Sequence, residues 1–144
     1  MKNNVEEIKH DGKLLAIIIG SLFQKEGIHF LTENNLSQQV AYMKHPKGKV
    51  IEPHIHNHIP REVHFTHEVL FIRSGSLEVD FYDDNKNYLK SRVISTGDTI
   101  LLAGGGHGFS VIENVEMIEV KQGPYAGEND KIRFPGKIVK RHYS

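Results

Sequence analysis

Five of the ten histidines in this chain of 144 residues, His54, His56, His58, His64 and His67, fall within fourteen positions. Imidazole titrates near neutral pH and, when neutral, binds first-row metals, so this cluster is where chemistry is to be sought. In the stretch PHIHNHIP, His54 and His56 are two apart. In a strand such residues point to one face, and both rings can reach one ion. Glu68 opens EVLFIR and shares its face with Leu70 and Ile72, so its carboxylate enters a mostly apolar interior. A buried carboxylate is costly unless it is paired, and a metal ion is one of the few partners that compensates it. His107 follows a glycine run and opens a further strand. The pattern predicts a metal site of three imidazoles and one carboxylate, His54, His56, Glu68 and His107, carried by three separate strands.

The remaining histidines divide by context. His64 and His67 are candidates to move a proton beside such a site, the plainer alternative being a polar loop at the mouth of a barrel. His58 continues the face of His54 and His56 only if a strand survives to Pro60, where proline works against it. His10, His29, His45 and His142 stand alone and read as ordinary surface or satisfied core residues. A rival ligand set is also open: Glu62-x-His64-x3-Glu68 has short spacing, with Glu62 in place of a first histidine.

The elements that must position these groups read as β-structure. Turn signals recur at His10-Asp11-Gly12, Glu33-Asn34-Asn35, Pro46-Lys47-Gly48, Ser74-Gly75-Ser76, Asp83-Asp84-Asn85, Thr96-Gly97-Asp98 and Gly104-Gly105-Gly106. Between Ser76 and Tyr82, Leu77, Val79 and Phe81 face one way and Glu78, Asp80 and Tyr82 the other, which predicts a strand with one wet face. EVLFIR is apolar on both faces, and Thr99 to Leu102 and Val115 to Val120 are further strands. Helix signals are thin: a short turn at Val5 to Lys9, and Leu36 to Tyr42, where Val40 and Tyr42 favour a strand. Strands at roughly ten-residue spacing predict an all-β sandwich or barrel. The charged segment from Glu128 to Ser144 is expected to run extended over the surface or a partner subunit.

Composition narrows the classes. Eighteen basic residues balance eighteen acidic ones, which argues against a nucleic-acid binder with a basic surface. Without Cys there is no disulfide, no thiolate zinc site and no Cys nucleophile. The longest apolar run, Leu14 to Gly20, is far short of the ~20 residues a membrane-spanning helix needs, and acidic residues precede it where an export signal carries basic ones. The expectation is a cytoplasmic protein. GGGHG lacks the spacing and the Lys of a phosphate loop, so its glycines are read as a tight turn into the strand bearing His107. Asp80, Asp83 and Asp84 are read as a hairpin end rather than paired catalytic carboxylates. Arg61, Tyr82, Lys121, Tyr125 and Arg133 are candidates to contact an anionic ligand without a place assigned by spacing.

The spacing Gly48-x5-His54-x-His56, with Glu68-x6-Gly75 and then Gly97, Gly105 and His107, resembles the two motifs of the cupin superfamily, G-x5-H-x-H-x3,4-E-x6-G and G-x5-P-x-G-x2-H-x3-N. Eleven residues separate His56 from Glu68 where the motif has three or four, Ala103 stands for Pro, His107 arrives one residue early and the final Asn is absent. The stretches EVLFIRSGSLEVDFYD, GDTILLAGGGHG and MIEVKQGPYAGEND also look like single-domain bacterial cupins found near sugar and surface-polysaccharide genes. The resemblance implies a double-stranded β-helix (a jelly-roll barrel) spanning 1–144 as one domain, with its metal-site core at about 48–122 and an extended tail at about 128–144. It implies a divalent metal (Fe, Mn, Ni, Co or Zn) on His54, His56, Glu68 and His107.

Such a site predicts a metal-dependent isomerase, epimerase or dioxygenase acting on a small polar or anionic molecule such as a sugar derivative. The alternative is a non-catalytic ligand-binding or sensing module with a structural metal, and a third reading is a metal buffer built on the clustered histidines. A homodimer is expected, because EVLFIR and Leu14 to Gly20 offer apolar strands for a second copy to cover.

Overall fold

The computed structural model describes residues 2–137. Its strands are β1 Val5–His10, β2 Lys13–Ile19, β3 Gly27–Phe30, β4 Ala41–Lys44, β5 Glu68–Tyr82, β6 Tyr88–Ser95, β7 Thr99–Leu102 and β8 Gly106–Lys121, followed by one 3-10 turn at Gly127–Asp130. All pairings are antiparallel. The main sheet runs β1-β2-β7-β5-β6, with β8 along the other edge of β5, and β3 and β4 form a separate ribbon. The chain is all-β, and its main sheet curls into half a barrel. Among the described residues no helix is long and apolar enough to cross a membrane.

The curl follows from connectivity. Glu68, at the start of β5, pairs with Leu102 of β7, while Tyr82, at its end, pairs with Gly106 of β8. Residues 103–105 link those two partners, a span of at most about 14 Å. A flat strand as long as β5 would hold its ends roughly 45 Å apart. The β5–β8 ribbon therefore has to fold over, and its register shifts locate the bend between Ile72 and Leu77. Gly75 sits there at φ +85°, and the β6–β7 turn clasps the bend: Gly97 N–H donates to Ile72 O, Ile72 N–H to Asp98 O and Thr96 N–H to Gly75 O. Asp98 holds that turn from inside. Its buried carboxylate accepts from the Ser21 and Ser95 N–H groups and from Lys2 Nζ at 2.6 Å.

The bulge also restores the phase of burial. Leu70 and Ile72 point inward before it, and Leu77, Val79 and Phe81 after it, joining Ile8, Leu15, Ala16, Ile94, Ile100 and Leu102 in one core. An unbroken period of two would have turned the second set outward.

Several expectations change in the fold. Val5 to Lys9 is strand β1 rather than a turn, because each residue finds a partner in β2. The apolar run in β2 is covered within the chain, where Leu15, Ala16, Ile17 and Ile18 are buried between β1 and β7. Leu36 to Tyr42 contributes only the start of β4. The expected wet face of β5 is partly covered: Asp80 and Tyr82 are buried beneath the extended 131–137 segment, where Phe134 packs edge-on to Tyr82 and Lys137 reaches Asp80 at 3.1 Å. The remainder of the predicted tail, with His142, lies outside the described residues. Residues 45–67 form no strand, so His54 and His56 sit in an extended arm rather than on the strand expected for them. Pro46, Pro53 and Pro60 remove three ladder donors from this arm, and among the described residues no strand pairs with it.

Candidate functional site

Folding the β5–β8 ribbon back on itself brings together two side chains 39 positions apart. Glu68 opens β5, and His107 lies near the start of β8, paired across from Phe81. Their Oε2 and Nε2 atoms stand 3.8 Å apart, both largely screened from water. Glu119, on the same stretch of β8 as the Lys121 that pairs with Glu68, adds a second carboxyl that hydrogen-bonds to Glu68.

Electrostatics at this pair are unusual. Burial first, and the Glu119 carboxyl second, push Glu68 up to about 7, while Lys121 and Lys131 pull the other way. Burial holds His107 below the ordinary imidazole value, and Glu119 partly offsets it. Both groups thus favour the neutral state in the absence of a cation. The Glu68 proton is bound more tightly in the folded chain than in the unfolded one. Stability from this group is therefore full below about pH 4.5, declines as pH rises to about 7, and stays lower above that. In metal-free protein, Glu68→Gln is expected to raise stability at pH 8 by on the order of 2 kcal/mol and to change little at pH 4. Urea unfolding at the two pH values measures this; an equal effect at both would assign the change to shape rather than charge.

The other predicted site residues lie elsewhere. His54 and His56 meet edge-to-face, ring centroids 5.1 Å apart, on the exposed arm, and His54 Nδ1 contacts the Glu52 carbonyl at 3.0 Å. Among the described residues no three His, Asp or Glu side chains come together as a possible metal-holding group, so this pair and the Glu68–His107 pair are separate places in this conformation. The rival pair, Glu62 and His64, is close at 3.5 Å but lies on the surface.

His64 is nevertheless well placed for another reason. With Arg61, Thr66, Lys121, Tyr125 and Asp130 it lines an open cavity of about 620 Å³ where the end of the arm crosses the end of β8. Three of these, Arg61, Lys121 and Tyr125, are residues that sequence spacing singled out without being able to place. Lys121 and Thr66 both bind the Asp130 carboxylate, and Lys121 is the register partner of Glu68, so the cavity adjoins the Glu68 end of the ribbon. His67 points away from it. It is buried, its Nδ1 lies 3.2 Å from Ser37 Oγ, and burial lowers its proton affinity. Of the other anion-contact candidates, Tyr82 is buried under Phe134 and Arg133 pairs with Glu128 on the surface.

Glu119 was missed in the sequence, where a lone Glu in MIEVK reads as the wet side of a strand. Its only signal there was sharing the two-residue period of Met117 and Lys121 opposite Glu68. His45, read as ordinary, has its Nε2 enclosed without a hydrogen-bond partner among the described residues. The expected hairpin end is present: Asp83 accepts from the N–H groups of Asn85 and Asn87. Comparison of the chain with family models, with curated proteins and with solved structures yields no match.

Proposed function

We propose that this chain is a metal-dependent barrel protein of the cupin type that acts on a small polar or anionic molecule, such as a sugar derivative, by isomerase, epimerase or oxygenase-type chemistry. One observation carries the reading: Glu68 and His107 converge at 3.8 Å on the inner side of a curled sheet, from the two ends of one folded ribbon. The half-barrel is compatible with a double-stranded β-helix. The donor chemistry fits a divalent cation, because a carboxylate that burial makes costly to ionise and an imidazole held neutral both gain by ligation. Glu68 and His107 hold two positions in this reading, and His54 and His56 supply the others.

When bound, a first-row metal (Fe, Mn, Ni, Co or Zn) supplies Lewis acidity toward a carbonyl or hydroxyl oxygen. The chain's own residues do the rest. Arg61 and Lys121 offer positive charge, and Tyr125 a hydroxyl, to an anionic ligand in the cavity. His64, on the same wall, takes or returns a proton at its ring nitrogen. Glu119 shares a hydrogen bond with Glu68 and raises its proton affinity.

Elemental analysis with calorimetric metal titration tests this. The expected result is one ion per chain, with Glu68→Gln and His107→Ala each weakening binding at least about tenfold, the loss of one ligand. His10→Ala, on a half-buried histidine beside Asp11, is expected to bind as wild type. Several ions per chain would favour the buffer reading, and no ion in any preparation would overturn both.

A further inference from the structure

The arm and the edge of β8 are each incomplete, and they match. Residues 50–66 make no backbone–backbone hydrogen bond among the described residues, yet the arm carries Val50, Ile51, Ile55, Ile59 and Phe65 in the open, Ile55 at 92% exposure. Read with a period of two, Ile51, Ile55 and Ile59 fall on one face and Glu52, His54, His56 and His58 on the other, the pattern of a strand that lacks a neighbour. β8 is its counterpart. It is 16 residues long, pairs only with β5 among the described residues, and exposes Phe109, Val111, Met117, Ile118 and Val120. A long apolar edge of this kind is an open template for another strand.

Charge agrees with the match. From residue 45 to 67 the arm carries Lys47, Lys49 and Arg61 against Glu52 and Glu62, a net positive charge, while β8 carries Glu113, Glu116 and Glu119 against Lys121 alone. Pro53 is tolerated on the open side of a strand added outermost in a sheet, and Pro60, seven residues on and therefore facing β8, ends that strand. The far end of the arm is tied to the far end of β8, where Gln122 N–H donates to His67 O. Arg61 and residues 63–66 line the cavity beside residues 121–126 of the same chain, and residues 50–60 beyond them are exposed throughout.

We infer that the arm of one copy docks on the β8 edge of a second copy, reciprocally, so that His54 and His56 join Glu68 and His107 across the interface. Adjacent strands lie about 4.8 Å apart, so imidazoles on an added strand come within ligand reach of the inward-facing His107 and its partner Glu68. The two histidine pairs that stand apart in one chain become one site, and each dimer holds two such sites, made by exchanging identical elements. The metal part of this inference rests on the function proposed above; the arm exchange does not.

Two measurements separate them. First, chains carrying His54→Ala with His56→Ala are unfolded and refolded together with chains carrying Glu68→Gln with His107→Ala. Neither variant alone is expected to bind metal. In the equal mixture, half the dimers are mixed and each has one intact site, so binding should return to about a quarter of the wild-type ion content. No recovery, with wild type binding one ion per chain, would place the site within a single chain and overturn the shared site. Second, the chain has no Cys, so Ile55→Cys chains and Ser110→Cys chains, whose substituted positions share the outer face in this arrangement, can be mixed and treated with a short bismaleimide. A covalent dimer carrying one copy of each variant is expected. Its absence would overturn the arm exchange, whereas its presence in protein that binds no metal would sink only the function.

Discussion

Gly75→Ala is expected to destabilise the protein by about 3 kcal/mol or more, far beyond what its single added methyl group would imply. Two effects add at this position. Its φ of +85° lies where side chains with a Cβ are strained, and the added Cβ would stand 1.9 Å from the carbonyl oxygen of Asn114 and 2.9 Å from Cα of Val115. Both obstacles are backbone atoms of β8, so relief requires opening the ribbon at its bend rather than rotating a side chain. Gly12→Ala is the matched control. Gly12 also has positive φ, at +73°, but a Cβ there meets nothing within 4 Å, so only the strain of about 1 kcal/mol remains. Urea unfolding of both variants measures the difference. Equal losses would mean that the bend yields easily and that close approach of the strands does not hold it. Under the proposed function, the same substitution is expected to weaken metal binding, because the bend brings Glu68 to His107.

Phe81→Ala is expected to cost about 3–5 kcal/mol, the usual range for a fully enclosed aromatic side chain. Phe81 is 1% exposed, at the centre of the core shared by both arms of the ribbon, and its register partner in β8 is His107. The cavity left behind is bounded by paired strands on β5 and β8, which limits collapse and keeps the cost toward the upper end. Phe81→Leu retains most of the volume and is expected to cost no more than about 1.5 kcal/mol. Thermal or urea unfolding distinguishes the two. If Phe81→Ala and Phe81→Leu lost the same amount, the packing around this ring would be loose and the inner face of the half-barrel poorly defined.

Much of the local structure was legible because a strand declares itself by a period of two and by the turns that bound it. Leu77, Val79 and Phe81, the turns at Asp83 and Gly97, and the glycine run ahead of His107 all stand as the sequence indicates. What could not be read locally is where β5 breaks phase. Ser74-Gly75-Ser76 carries a turn signal, yet it marks a bulge inside one long strand, because β8 and the β6–β7 turn hold the chain on both sides of it. Tyr82 and Asp80 looked solvent-facing because the segment that buries them, around Phe134 and Lys137, is about fifty residues away in the chain.

The candidate site divides in the same way. Residue type and spacing alone singled out Glu68 and His107, since a carboxylate opening an apolar strand and a histidine entering one after glycines are local patterns. That these two meet is a property of the folded ribbon, set by the three-residue link between β7 and β8. Glu119 became visible only when register placed it beside Glu68. His54 and His56 show the reverse: their two-residue spacing is plain in the chain, but spacing makes a strand only where a neighbour supplies hydrogen bonds, and residues 50–66 find no such neighbour among the described residues. By itself, then, the sequence determined the all-β character, the strand faces and the short list of ionisable groups, because these depend on neighbours along the chain. Only the tertiary structure decided which of those groups share a place, because a bend and a register are agreements between distant strands.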